Sequence, residues 1–212
     1  MASRRQNGFS LLEMMIVISI SLVLAAVTTM SLQPVWKQQH VDDAYNTTLT
    51  SLRRARDQAV ADMRIYAVTF TAANPGVNGG TITVQQDAGG VLSATPLFTA
   101  TLPPDVTYNV TPGVPVSNTA APTTPDSFGT ASAGPFDFDQ VTGGGGNIIY
   151  FYPDGSAQDA DPNGGNPNNG VVYLSIPGNL NTCRAVSLWG YTGRIRGWQL
   201  VSLSGAWTWV QK

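Results

Sequence analysis

Residues Phe9 to Leu32 form 24 consecutive positions whose only charge is Glu13. As a helix such a run is about 36 Å long, enough to cross a hydrocarbon core of ~30 Å. Glu13 is also the only glutamate in the 212-residue chain. An ionised carboxylate inside a bilayer costs a few kcal/mol and is usually kept for a partner. The run therefore demands a membrane or a helix bundle, and the acid demands a cation.

The preceding stretch MASRRQNG carries Arg4 and Arg5, which orient the N-terminus toward the cytoplasm and the rest of the chain to the far side. An ordinary secretory signal has a shorter apolar core and a small-x-small cleavage site. None follows Ala26. A plain anchor accounts for length and basic flank, but not for Glu13 or the abrupt Gly8-Phe9 entry.

A short basic leader ending in Gly8, then Phe9, then a glutamate four residues on and about twenty apolar residues, resembles the class III signal of type IV prepilins and pseudopilins. The resemblance implies cleavage between Gly8 and Phe9 by a prepilin peptidase and N-methylation of Phe9. The freed amine is a cation one helical turn from Glu13. In stacked helices, the carboxylate of one subunit then pairs with the terminal amine of the next, in a setting where each charge alone is very costly.

Beyond Leu32, Pro34 is expected to kink or unwind the helix. Val41, Tyr45, Leu49, Leu52, Ala55 or Arg56, Ala59 and Met63 then recur at spacings of three and four, one face of a helix. Asp42, Asp43, Asn46, Arg53, Arg54, Asp57 and Asp62 lie opposite. His40, the sole histidine, has no second ligand nearby and reads as a solvated surface residue.

After Met63 the period changes to two. Segments 65–72, 81–86, 97–102, 106–110, 148–152, 171–176, 185–190, 194–201 and 206–211 read as short strands between Gly, Pro and Asn turns. One long helix followed by strands predicts an α+β fold, with antiparallel sheet packed on the helix's apolar stripe. The expected organisation is a leader (1–8), a transmembrane or filament-core helix (9–33), an amphipathic helix (34–64) and a β-rich domain (65–212). The Pro-, Thr- and Gly-rich stretch 111–147 is expected to be a loop insertion.

LRRARDQAV (52–60), FYPDGSA (151–157) and CRAVSLWGYTGRIR (183–196) resemble corresponding parts of the GspH/FimT family, the H-type minor pseudopilins of type II secretion and related minor pilins. The resemblance covers residues 111–147 and the Trp-rich tail from Trp198 poorly. It implies a filament subunit whose partners are other pilins, the prepilin peptidase and the bacterial inner membrane, with the globular part outside the cytoplasm. A surface for secreted substrate, or for DNA captured during uptake, is implied as an alternative through the GRxR stretch.

The charge distribution bears on that alternative. From Ile65 to Cys183 there are eight aspartates and no Lys or Arg; from Arg184 to Lys212 there are three Arg, one Lys and no acid. Arg194 and Arg196 share a strand face, and Arg184 is expected nearby. Three guanidiniums on one patch suit phosphate oxygens. Against this, a net charge of −2 repels a polyanion, and two or three contacts give weak, salt-sensitive binding. The competing reading is that these arginines pair with aspartates of the same or an adjacent subunit.

No cofactor or resident metal is expected. Asp159, Asp161 and Asn163 with Gly164 match the first half of a calcium loop, but Gly170 stands where a bidentate Glu belongs. A solvated turn is the main reading there and a looser calcium site the alternative. Asp137 and Asp139 read as exposed loop. Cys183 reads as a small buried side chain, and the four tryptophans after Leu188 as core and cross-strand packing. One His, one Cys and a membrane-committed Glu assemble no catalytic constellation, so no enzymatic activity is expected.

Overall fold

The computed structural model describes residues 10–73, 79–116, 124–129, 134–138, 146–158 and 166–212. Gly8, Phe9, Asp139 and the calcium candidates Asp159, Asp161 and Asn163 lie outside the described residues. The chain divides into two compact units, Met1–Lys37 and Gln38–Lys212.

Helix α1 spans Leu11–Asp62 and belongs to both. Pro34 lies inside it without interrupting the helical assignment, so the local unwinding expected there does not occur. In the first unit the large apolar side chains among the described residues are exposed, from Leu11 at 78% to Leu32 at 40%. Its most apolar window has a mean hydropathy of 2.4 and none of it is buried. Hydroxyls in this stretch bond back to their own helix: Ser19, Ser21 and Thr28 donate to the carbonyls of Met15, Val17 and Leu24, each at 2.8 Å. That removes the penalty a free hydroxyl incurs in hydrocarbon.

The second unit is α+β. Strands β1 (Ile65–Thr71), β2 (Thr81–Asp87), β3 (Phe98–Thr101), β5 (Ile148–Phe151) and β6 (Ala157–Gln158) form one sheet in the order β3-β2-β1-β5-β6. The second sheet has the order β10-β9-β8-β7-β4, from β4 (Phe136–Asp137), β7 (Gly170–Leu174), β8 (Arg184–Trp189), β9 (Arg194–Leu203) and β10 (Ala206–Gln211). All pairings are antiparallel.

One apolar core joins the helix to both sheets. Val41, Ala44, Tyr45, Leu49, Leu52, Ala55 and Ala59 pack with Val68, Phe70, Ile82, Val84, Ile149 and Phe151 of the first sheet and Val172, Leu174, Val186 and Leu188 of the second. Each such large aliphatic side chain stabilises the domain by about 1.5–3 kcal/mol on burial. A smaller cluster covers the opposite face of the second sheet, where Tyr173, Ala185, Leu200 and Trp209 meet Val114 and Phe128.

Several local expectations are corrected. Met63 is 77% exposed because the helix ends at Asp62 and Met63 turns left-handed (φ 54°). Residues 106–110 form no strand. Val106 and Tyr108 are buried, but the only ladder contact there is a single bridge between Thr107 and Ser175. The 111–147 stretch is not merely a loop: it supplies β4 and a 3₁₀ turn at Pro125–Ser127. Phe136, Asp137 and Phe138 are buried there rather than exposed, with Phe138 stacked 5.4 Å from Phe70. His40 is not simply solvated, since its Nδ1 lies 2.9 Å from an Asp105 oxygen.

Candidate functional site

The described candidate site residues fall in two regions: the exposed N-terminal helix and the basic end of the second sheet. In the helix, Glu13 lies in the first turn with its side chain exposed. The apolar residues around it are exposed too, Leu12 at 68% and Ile16 at 51%. A carboxylate in an uncovered apolar surface is suited to a contact outside the chain.

Of the two readings of the basic end weighed from the sequence, the three-arginine patch does not form; Arg184 and Arg196 pair with aspartates of the same chain. Arg184 opens β8 and is only 1% exposed. Its guanidinium donates to Asp42 of α1 at 3.2 and 3.3 Å and to the carbonyls of Asn181 and Cys183. Lys212 Nζ reaches the same Asp42 oxygen at 2.9 Å. Burial raises the Asp42 pKa, but the Lys212 hydrogen bond and the charges of Arg184 and Lys212 outweigh it and hold the carboxyl below its usual range. Arg184 is therefore a structural cation, unavailable to a ligand.

Arg196 is likewise occupied. On β9 it faces Ser187 of β8, and it pairs with Asp126 of the 3₁₀ turn. Ser187 donates to the other Asp126 oxygen and accepts from Trp198 Nε1 at 2.9 Å. Asp126 and Ser127 both adopt left-handed conformations (φ 52° and 61°), an arrangement that costs about 1–3 kcal/mol per residue. The Asp126 network and the edge-to-face contact of Phe128 with Trp189, at 5.0 Å, hold the turn against the sheet.

Arg194 differs. It is exposed and pairs across the strands with Trp189. No ion pair to it exists among the described residues. It lines a cleft of about 400 Å³ together with Arg53, Arg56, Asp57, Thr192, Gly193 and Ile195. Arg56 forms a fixed wall: Nε donates to the Gly155 carbonyl and a terminal nitrogen to the Thr192 carbonyl, each at 3.1 Å.

Glycine is required where this wall meets the sheet. A Cβ on Gly193 (φ 57°) would lie 1.9 Å from the Gly155 carbonyl oxygen and 2.7 Å from Arg56 Nε. The three stretches LRRARDQAV, PDG and GRxR, up to about 140 residues apart, thus converge on one place. Arg53 and Arg56 were missed as site residues in the sequence. Their helical spacing placed Arg53 on the polar face and Arg56 as an alternative to Ala55 on the apolar one.

Cys183 is buried, and its thiol is pushed up by burial. Among the described residues no group of three His, Cys, Asp or Glu side chains is placed to hold a metal.

Comparison with known families gives one match, to the prokaryotic N-terminal methylation motif over residues 3–29. No curated protein and no solved structure matches the chain. Together with the long helix packed on antiparallel sheet, the motif supports a type IV pilin-like protein. It implies processing by prepilin peptidase and assembly with other pilins. Motif and apolar helix together are consistent with membrane anchoring.

Proposed function

We propose that the chain is a minor pilin or pseudopilin of the GspH/FimT type, a structural subunit of a type II secretion pseudopilus or type IV pilus and not an enzyme. The observation that carries this reading is the methylation motif leading into an apolar helix, exposed among the described residues, with a lone carboxylate in its first turn. The convergence of LRRARDQAV, PDG and GRxR on one cleft supports the family-level assignment.

In this reading the chain is inserted in the inner membrane as a single pass, with the domain from about residue 38 outside the cytoplasm. It is cleaved between Gly8 and Phe9 and methylated on Phe9. Helix packing supplies the association energy, and Glu13 sets register by meeting the amine of a neighbouring Phe9. Changing Glu13→Ala should leave the processed chain in the membrane and remove it at least tenfold from sheared filaments, as expected for loss of an ion pair in an apolar bundle. Equal incorporation of wild type and variant in a quantitative immunoblot would contradict the assembly role.

A second reading, capture of DNA for uptake, is favoured by one observation: Arg194 stays exposed beside Arg53. It must do without Arg184 and Arg196, which are committed to Asp42 and Asp126. Contacts this few on a chain of net charge −2 give weak, strongly salt-dependent binding.

A further inference from the structure

We infer that the cleft between Arg53, Arg56 and Arg194 is a receptor for a carboxylate side chain presented by a neighbouring protein subunit. The inference rests on the filament-subunit reading and names what that subunit docks.

The first argument is one of elimination. Of the four cations after Cys183, Arg184 and Lys212 share Asp42, and Arg196 holds Asp126. Only Arg194 lacks a carboxylate among the described residues. Arg53 faces the same cleft and is equally without an ion pair, although Asp57 lies one helical turn away. Arg56 is fixed by neutral carbonyls, which orient its guanidinium without cancelling its charge. Three guanidiniums against one carboxylate leave the cleft with a positive charge that no further carboxylate among the described residues neutralises.

The second argument concerns construction. The wall is preorganised, because Arg56 is locked between two turns whose glycines leave room for it. A Cβ on Gly155 (φ 80°) would approach a terminal nitrogen of Arg56 to 3.3 Å, and one on Gly193 would collide with the Gly155 carbonyl. Arg53 and Arg194 are exposed and able to close on a ligand from opposite elements, helix and strand. Guanidinium forks match the paired oxygens of a carboxylate.

The third argument is charge and size. A volume of about 400 Å³ is large enough to take one acidic side chain. A polyanion approaching this cleft also meets a domain with eight aspartates and no Lys or Arg between Ile65 and Cys183, whose field opposes it. A single aspartate or glutamate on a nearly neutral protein segment escapes that repulsion. An acidic side chain of an adjacent subunit is thus favoured over a nucleic acid backbone.

The test uses the full chain in its native envelope, with Tyr191, 77% exposed beside the cleft, replaced by a photoreactive phenylalanine analogue. Irradiation should join it to another envelope subunit through a peptide containing Asp or Glu. Loss of two charge-assisted contacts in the pair Arg53→Gln, Arg194→Gln should lower that adduct roughly tenfold or more. The pair Arg53→Lys, Arg194→Lys should retain most of it. An unchanged adduct in the Gln pair, or an adduct with nucleic acid instead of protein, would overturn the inference. So would absence of any protein adduct in filaments that contain the chain. The N-terminal peptide from the same material separates the two levels of failure: a chain processed and incorporated but not cross-linked removes the carboxylate receptor alone, and a chain neither processed nor incorporated removes the subunit reading as well.

Discussion

Asp42 illustrates how a residue on the polar side of an amphipathic helix acquires a structural role. It was expected on the solvent face of the helix, and it balances buried Arg184 from 142 positions away. Replacing Asp42 with Asn leaves that guanidinium without a counter-charge and should cost about 2–3 kcal/mol at pH 7. Lys212 is 42% exposed and adds little to this. Because the folded carboxyl titrates below its ordinary 3.8, its contribution is present above about pH 4 and is lost as pH falls through the folded value. Urea denaturation of wild type and Asp42→Asn at pH 7 and pH 3 should show a clear gap in midpoint at the higher pH and a narrower one at the lower. The same pairing explains what the sequence concealed. Clustering of arginines after Cys183 was legible, but their carboxylate partners sit 142 and 70 positions away, and nothing local marks them.

At the level of elements, legibility followed periodicity. The three- and four-residue spacing from Val41 to Ala59 identified the buried helix face, because a helix packed on a sheet must be apolar along one stripe. Alternation located eight strands to within a few residues but misassigned 106–110, where Val106, Thr107 and Tyr108 are all buried and a single bridge, Thr107 to Ser175, takes the place of a ladder. It also missed Phe136–Asp137, whose pairing with β7 at Val171 and Val172 is too short to leave a pattern. The helix-to-sheet contact itself depends on a glycine within β9. A Cβ on Gly197 would fall 1.5 Å from the Tyr45 hydroxyl oxygen, so the strand must lie directly against the helix's tyrosine. Gly197→Ala should therefore destabilise the domain by roughly 2–4 kcal/mol through overpacking. Gly205→Ala, at a left-handed turn (φ 86°) with nothing near its Cβ, should cost about 1 kcal/mol from backbone conformation alone. Thermal unfolding of both variants followed by circular dichroism gives the comparison, and equal losses would show that the Tyr45 contact is loose.

For the molecule as a whole, the sequence divided naturally into a segment that requires partners and a domain that does not. Between Leu11 and Val35 the large apolar side chains among the described residues are exposed, while the unit from Gln38 onward has its own core. The first was legible because a long apolar run beside one acid allows few solutions. The basic cleft was not, because it forms only when helix, PDG turn and final hairpin fold together. In the proposed filament, Glu13 would lack a partner and the exposed helix a register without a freed amine at Phe9. Mass spectrometry of the N-terminal peptide from chain isolated out of its native membrane tests this directly. The predicted result is a peptide beginning at Phe9 with one added methyl group; a peptide retaining residues 1–8 would contradict it.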